Sequence, residues 1–320
     1  MRKCLAIGVA GALALGVMAC GDDDDDSNGG GGGGGTASNL SGTIRIDGSS
    51  TVAPLSEAAA ELFQAENPGV RVTVGTSGTG GGFEKFCAGE TDISDASRPI
   101  KDDEEAPICK KNGVAYGEVQ VANDGLAVVV NPQNDFAGCL TVAELKKIWD
   151  KGSKVNNWMQ VNPEFKDLKM ELFGAGTDSG TFDYFTEAIN GEEGRSRTDY
   201  NATEDDNVTV QGVSGSEGGI GYFGLSYAQQ NEGKVKAVEV DGGDGCVAPS
   251  AETVQDGSYK PLSRPLFIYP SEKALNRPEV KAFVEFYLAN QDKITEQALF
   301  VAMTQEQLRK SQERVASLGS

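Results

Sequence analysis

Three short segments combine hydroxyls with glycine or proline in a pattern that suits anion binding. They are Ser49-Ser50-Thr51-Val52-Ala53-Pro54, Ser77-Gly78-Thr79-Gly80-Gly81-Gly82 and Thr177-Asp178-Ser179-Gly180-Thr181-Phe182. Each precedes a stretch with helical patterning. Ser and Thr favour the N-cap position, and glycine lets a ligand approach the backbone. A helix start presents unpaired N–H groups and the positive end of the helix dipole, which together suit an anion. One such run is most simply a turn or a cap. Three in one chain point to a shared oxyanion site.

Composition narrows the chemistry. The chain has no histidine, which removes Ser-His-Asp and Cys-His nucleophile systems and histidine metal ligation. No CxxC pair is present, so a zinc site is not expected, and neither is any cofactor. Paired carboxylates or a Ser-Lys system have no motif behind them. Asp and Glu outnumber Lys and Arg by 48 to 28, a net charge of −20, which argues against a nucleic-acid partner. An acidic chain can still bind an anion. Long-range charge is screened within ~8 Å at physiological ionic strength, so local dipoles and one buried cation decide the site.

The elements around the three segments follow a regular grammar. Residues 43–47 alternate like a strand and run into the first segment; Pro54 suits a first helical turn, and 55–67 has helical spacing. A second strand, 70–75, ends in the second segment, with a helix over 83–88. Asp92-Ile93-Ser94-Asp95-Ala96-Ser97-Arg98-Pro99 reads as a short strand entering a loop. Residues 125–131 are apolar enough for a buried strand. Thr141 and Glu144 form a capping box for a helix over 141–150. A strand at 170–173 leads to the third segment and a helix over 182–189. Gly218-Gly219-Ile220-Gly221-Tyr222 turns into a strand, a short helix covers 225–230, 265–269 is extended, and helices over 279–290 and 304–315 close the chain. Strand, hydroxyl loop, helix, repeated, is an open α/β sheet, and ligands bind at the carboxyl ends of such strands.

The N-terminus is a targeting segment. Arg2 and Lys3 precede an apolar run over 5–18, too short for a membrane span. It ends at Val17-Met18-Ala19-Cys20, which resembles a bacterial lipobox, so 1–19 are expected to be cleaved and Cys20 lipidated. Residues 20–38, with Asp22 to Asp26 and the seven-glycine run Gly29 to Gly35, cannot bury a core and read as a solvated tether. The expected product is exported and lipid-anchored, at the outer face of the cell membrane or in the periplasm. Cys87, Cys109, Cys139 and Cys246 then remain in a disulfide-permissive setting with three possible pairings. Cys87–Cys109 with Cys139–Cys246 is preferred, because each bridge then stays inside one lobe of the body.

Four motifs together resemble the phosphate-binding lipoproteins of high-affinity phosphate ABC transporters: Gly48 to Pro54, Asp95 to Ile100, Gly176 to Phe182 and Gly219-Ile220-Gly221-Tyr222. The likeness covers the body from about Leu40 onward. It implies an α/β, bilobal type II periplasmic-binding-protein fold: two open sheets flanked by helices, with a two-strand hinge. Lobe 1 is expected to comprise 39–124 plus 266–320 and lobe 2 to comprise 125–265, with crossings near 121–126 and 264–267. The implied function is a monomeric receptor, not an enzyme, that binds inorganic phosphate between the lobes and delivers it to permease subunits. It would touch the membrane only through its lipid. Carried over residue by residue, Ser50, Thr51, Thr79 and Ser77 hold phosphate from one lobe, and Ser179, Gly180 and Thr181 from the other. Some members carry an aspartate where this chain has Arg98, and an arginine where it has Ala175. A swap is inferred: Arg98 supplies the cation and Asp178 the carboxylate that accepts the phosphate proton, a role Asp95 or Asp124 could also fill. The alternatives are a receptor for another oxyanion (sulfate, molybdate), a phosphate-ester hydrolase and a surface sensor.

Overall fold

The computed structural model of the protein describes residues 40–177 and 179–318. The signal segment, Cys20, the tether and Asp178 therefore lie outside the described residues. The chain opens with β1 (Gly42–Gly48), α1 (Ala53–Glu66), β2 (Val70–Gly75), α2 (Gly78–Cys87), β3 (Ile93–Ala96) and α3 (Glu105–Lys111). Alternation in β1 buries Ile44 and Ile46, as a strand with one face on a core requires. β1 pairs in parallel with both β2 and β3, Ile46 lying between Val74 and Ile93. Parallel strands joined through helices leave their carboxyl ends on one edge, so the loops at 49–52, 76–77 and 97–99 emerge together.

The long β4 (Val119–Val130) is buried along almost its whole length. There follow β5 (Cys139–Thr141), α4 (Val142–Trp149), α5 (Trp158–Val161) and β6 (Glu171–Ala175). Next, α6 (Gly180–Phe185) runs into a π turn (Thr186–Asn190), ahead of β7 (Asn201–Thr203), α7 (Asp206–Gly215), β8 (Gly219–Gly224) and α8 (Leu225–Gln230). Three short strands, β9 (Lys236–Ala237), β10 (Glu239–Asp241) and β11 (Cys246–Val247), precede α9 (Ala251–Gln255). β12 (Ser263–Pro270) then returns the chain to α10 (Glu272–Leu275), α11 (Pro278–Ala289), α12 (Gln291–Ala298) and α13 (Gln305–Leu318).

The two expected open sheets are contiguous. Strand order is β2-β1-β3-β12-β4-β8-β6-β7, with β9 beside β4, and β11-β10-β5 form a separate small sheet. The joint is the antiparallel pair β12–β4, in which Arg264 lies opposite Asp124 and Ser263 opposite Gly125. The buried apolar residues divide at this joint. One core gathers Ile44 and Ile46 of β1, Val121 and Ala122 of β4, Leu266 and Ile268 of β12 and the apolar faces of α1 and α11. A satellite of Phe83, Phe86 and Tyr269 sits beside it. The other core runs from Leu126 to Leu262 around Trp149, Trp158 and Tyr222, joined by Val301.

Cys87 is bonded to Cys109 and Cys139 to Cys246. The Thr141–Glu144 capping box is present in full. Two expectations differ from the structure. α2 begins at Gly78, not at residue 83: the glycine run is the first turn of the helix. It packs so tightly on β1 that a Cβ at Gly82 would lie 2.4 Å from the Gly48 Cα. The sequence reading also lacks α3, α5, α7, α9, α10 and α12, helices with too few turns to show a repeating apolar pattern.

Candidate functional site

Two of the three segments meet. A cavity of about 240 Å³ is lined by Ser50, Thr51 and Asp124 on one side and by Ser179, Gly180, Thr181, Asp206 and Tyr227 on the other. The contact between the segments is close: a Cβ at Gly180 would sit 2.7 Å from Thr51 Oγ1 and 3.1 Å from the Thr51 N and Cα. Larger cavities of about 590 and 790 Å³ lie elsewhere and are lined by other residues, so this convergence of loops, not size, marks the candidate.

Local structure explains the poses. In the first segment, Ser49 N–H donates to the Asp95 carbonyl at 2.9 Å, and the N-terminal turn of α1 closes on Ser49 O. Val52 holds the N-cap position with no side-chain cap, contrary to the expected hydroxyl cap. The hydroxyls of Ser50 and Thr51 are therefore not spent on the helix. In the third segment Ser179 does cap: its Oγ accepts from Thr181 N at 3.1 Å.

The second segment forms a neighbouring cluster. Thr79 Oγ1 lies 3.0 Å from Ser97 Oγ and accepts from Ser97 N at 3.2 Å, which ties the start of α2 to the loop after β3. Ser77 instead turns to Asp47, which accepts from both its N–H and its hydroxyl. Neither Thr79, Ser77 nor Arg98 lines the 240 Å³ cavity. Arg98 forks onto Glu105 through Nη2 (2.6 Å) and Nη1 (3.0 Å) and stands 5.8 Å over the Phe83 ring. Its Nη2 is 3.9 Å from where a Cβ of Gly80 would be, so the guanidinium rests beside the first turn of α2. The hydrogen bond to Glu105 raises its basicity, and the charge of Glu187, on the π turn of the other half, reaches it as well.

The cation joined directly to the cavity is Arg264, which the sequence reading did not assign. Its Nε donates to Asp124 Oδ2 (3.2 Å), its Nη2 donates to Thr51 Oγ1 (3.1 Å), and its guanidinium carbon lies 3.6 Å from the Tyr184 ring centroid. Its tripeptide Ser263-Arg264-Pro265 repeats Ser97-Arg98-Pro99, but only the register of β12 against β4 brings Arg264 to Asp124.

The carboxylates sort by environment. Burial pushes Asp124 up from its ordinary value, against the opposing charge of Arg264. Asp206 is raised to about 6 by burial and by the charges of Asp205 and Glu204. Asp95, weighed as a proton acceptor, is fully buried and does not line the cavity; its Oδ1 accepts from Ser56 Oγ at 2.9 Å, on the core side of the loop. That placement removes it from the acceptor role. Among the described residues, the one His/Cys/Asp/Glu cluster close enough for a metal is Cys139, Glu239 and Cys246, whose cysteines are bonded to each other.

A family model described as a PBP superfamily domain matches residues 34–291. The chain belongs to that superfamily. Within it, the SphX protein of Synechococcus elongatus is 50% identical over 270 residues, covering 83% of this chain and 79% of that one. The phosphate-binding protein PstS of Staphylococcus saprophyticus is 42% identical over 276 residues, covering 86% and 84%. Among solved structures, a possible phosphate-binding protein from Planctomyces limnophilus superposes with a TM-score of 0.83 at 50% identity, over 88% of this chain and all of that one. The chain is thus a member of the phosphate-binding branch of the superfamily, with the bilobal type II fold. Family membership fits the geometry: the hydroxyl loops sit at strand carboxyl ends, where open α/β sheets take ligands.

Proposed function

We propose that this member of the family is an extracytoplasmic receptor that binds inorganic phosphate between 39–124 with 266–320 and 125–265, and delivers it to an ABC permease. Cleavage before Cys20 and lipidation of its thiol would hold it to the membrane by the 20–38 tether. The observation that carries the reading is the meeting of Ser50-Thr51 with Ser179-Gly180-Thr181 across one small cavity, at the starts of α1 and α6. PstS phosphate-binding relatives at 40–42% identity point to the same ligand.

The electrostatics are sufficient. Hydrogen phosphate carries two negative charges; helix starts contribute roughly +0.5 each, and Arg98 adds its charge when its fork turns from Glu105 to the ligand. Hydrogen bonds to a charged ligand are worth roughly 1.5–3 kcal/mol each, so half a dozen, less closure costs, reach the ~8 kcal/mol of a micromolar complex. Thr79 and Arg98 complete the shell from the start of α2, and Ser77 joins it if its hydroxyl leaves Asp47. Asp178 accepts the phosphate proton, which a fully ionised sulfate lacks. No catalytic step is assigned: a phosphatase needs an activated nucleophile or a metal, and among the described residues no hydrogen bond joins the Ser50 or Ser179 hydroxyl to a carboxylate or amine base.

A thermal melt tests the ligand. Phosphate at 100 times its Kd should stabilise the refolded protein by about 2.7 kcal/mol, a rise of several degrees, with no rise from equimolar sulfate. Equal shifts from both would make the chain a general oxyanion receptor.

A further inference from the structure

Arg264 uses all three of its recognition surfaces on three different elements. The Nε edge meets Asp124 on β4, the Nη2 edge meets Thr51 ahead of α1, and the flat face stacks on Tyr184 of α6. Tyr184 is itself fixed, its hydroxyl donating to the Pro261 carbonyl at 2.9 Å. Asp124 and the Arg264 side chain are both largely buried.

The bond to Thr51 has a chemical consequence. A guanidinium can only donate, so Thr51 Oγ1 is the acceptor and its own proton must point elsewhere. Among the described residues that hydroxyl has no other hydrogen-bond partner. It lines the cavity, against Gly180. We infer that Arg264 is a positioning residue that turns the Thr51 hydroxyl into an obligate, polarised donor aimed at the bound oxyanion, while Asp124 and Tyr184 hold the guanidinium in place. A donor whose oxygen already accepts from a cation is strengthened by that bond, and its orientation is set before the ligand arrives. Lysine could keep the charge beside Asp124 but could not span Asp124 and Thr51 at once or stack flat on Tyr184. The inference rests on the phosphate reading above.

The test is a double-mutant cycle on phosphate affinity, measured by calorimetry on the whole protein: wild type, Thr51→Val, Arg264→Lys and the two combined. Each single change is expected to weaken binding about tenfold. The combined variant should be no weaker than either alone, because Arg264 acts through the hydroxyl already removed. Thr51→Ser, which keeps the hydroxyl, should still lose about tenfold on Arg264→Lys, where Thr51→Val should not. Losses that multiply would mean that Arg264 touches the ligand itself and would overturn the inference, as would an Arg264→Lys variant of unchanged affinity. If Arg264→Lys does not fold, the paired change Arg264→Gln with Asp124→Asn, which removes the buried charges together, takes its place in the cycle. Failure of the wild type to bind phosphate would overturn the ligand reading and this inference with it; wild-type binding with multiplied losses overturns this inference alone.

Discussion

Gly180 lies against Thr51 with no space for a side chain between them: a Cβ at Gly180 would stand 2.7 Å from Thr51 Oγ1, inside van der Waals contact. The two residues belong to different hydroxyl segments and to the two sides of the cavity. Gly180→Ala should therefore hold the segments apart. The expected result is a loss of phosphate affinity of at least tenfold, with a melting temperature within a few degrees of wild type. Calorimetry and a thermal melt read both. Unchanged affinity would mean that the ligand does not need this approach.

Arg98 is proposed to give phosphate its cation although its fork is engaged by Glu105. One charge-assisted hydrogen bond to the ligand lost on Arg98→Gln should weaken binding by roughly 10- to 100-fold. The loss should grow as salt is lowered, because the ligand's charge is then less screened. Wild-type affinity in Arg98→Gln would reduce Arg98 to a clamp between the loop after β3 and α3.

Asp95 makes stability depend on pH. Burial is the main cause of its rise from 3.8 to about 8; the hydrogen bond from Ser56 opposes it, and the charges of Asp47 and Glu57 add to it. Between these values the unfolded chain gives up a proton that the folded chain keeps. The contribution to stability is thus complete below pH 4, falls as pH rises toward 8 and is flat above it. Asp95→Asn should remove that slope and gain on the order of a few kcal/mol at pH 8 relative to wild type. Denaturant midpoints from pH 4 to 9 check this, and an unchanged slope would contradict it.

The two disulfides should contribute unequally. Their sequence separations are 22 and 107 residues, and loop-closure entropy gives about 3 and about 5 kcal/mol respectively. Replacing Cys139 and Cys246 by serine should lower stability by more than replacing Cys87 and Cys109, read from denaturant unfolding of each pair. The reverse order would place the contribution in local packing around α2 and α3.

Much of this arrangement is legible in sequence, for identifiable reasons. β1 and β2 announce themselves by alternation, and α4 by Thr141 and Glu144. The first and third segments are recognisable because hydroxyl-glycine runs follow strands and precede helices. What the sequence hides is whatever depends on register. Arg264 is an ordinary residue until β12 pairs with β4 and sets it opposite Asp124. The first half of β4 escapes notice because Asn123 and Asp124 look like loop residues, yet both are buried with partners: Asn123 pairs with the backbone of Val301 and Asp124 with Arg264. Glycine misleads in α2, where low helix propensity is overridden by the need to pack against Gly48.

The central claim is that the loops meeting at Thr51 and Gly180 bind inorganic phosphate. Its most direct test is calorimetric titration of the purified protein, unfolded and refolded to strip bound ligand, with phosphate and sulfate side by side near neutral pH. The account predicts tight one-to-one binding of phosphate with no response to sulfate, and sulfate binding gained in Asp178→Asn. No heat from phosphate, or equal binding of both anions by the wild type, would contradict it.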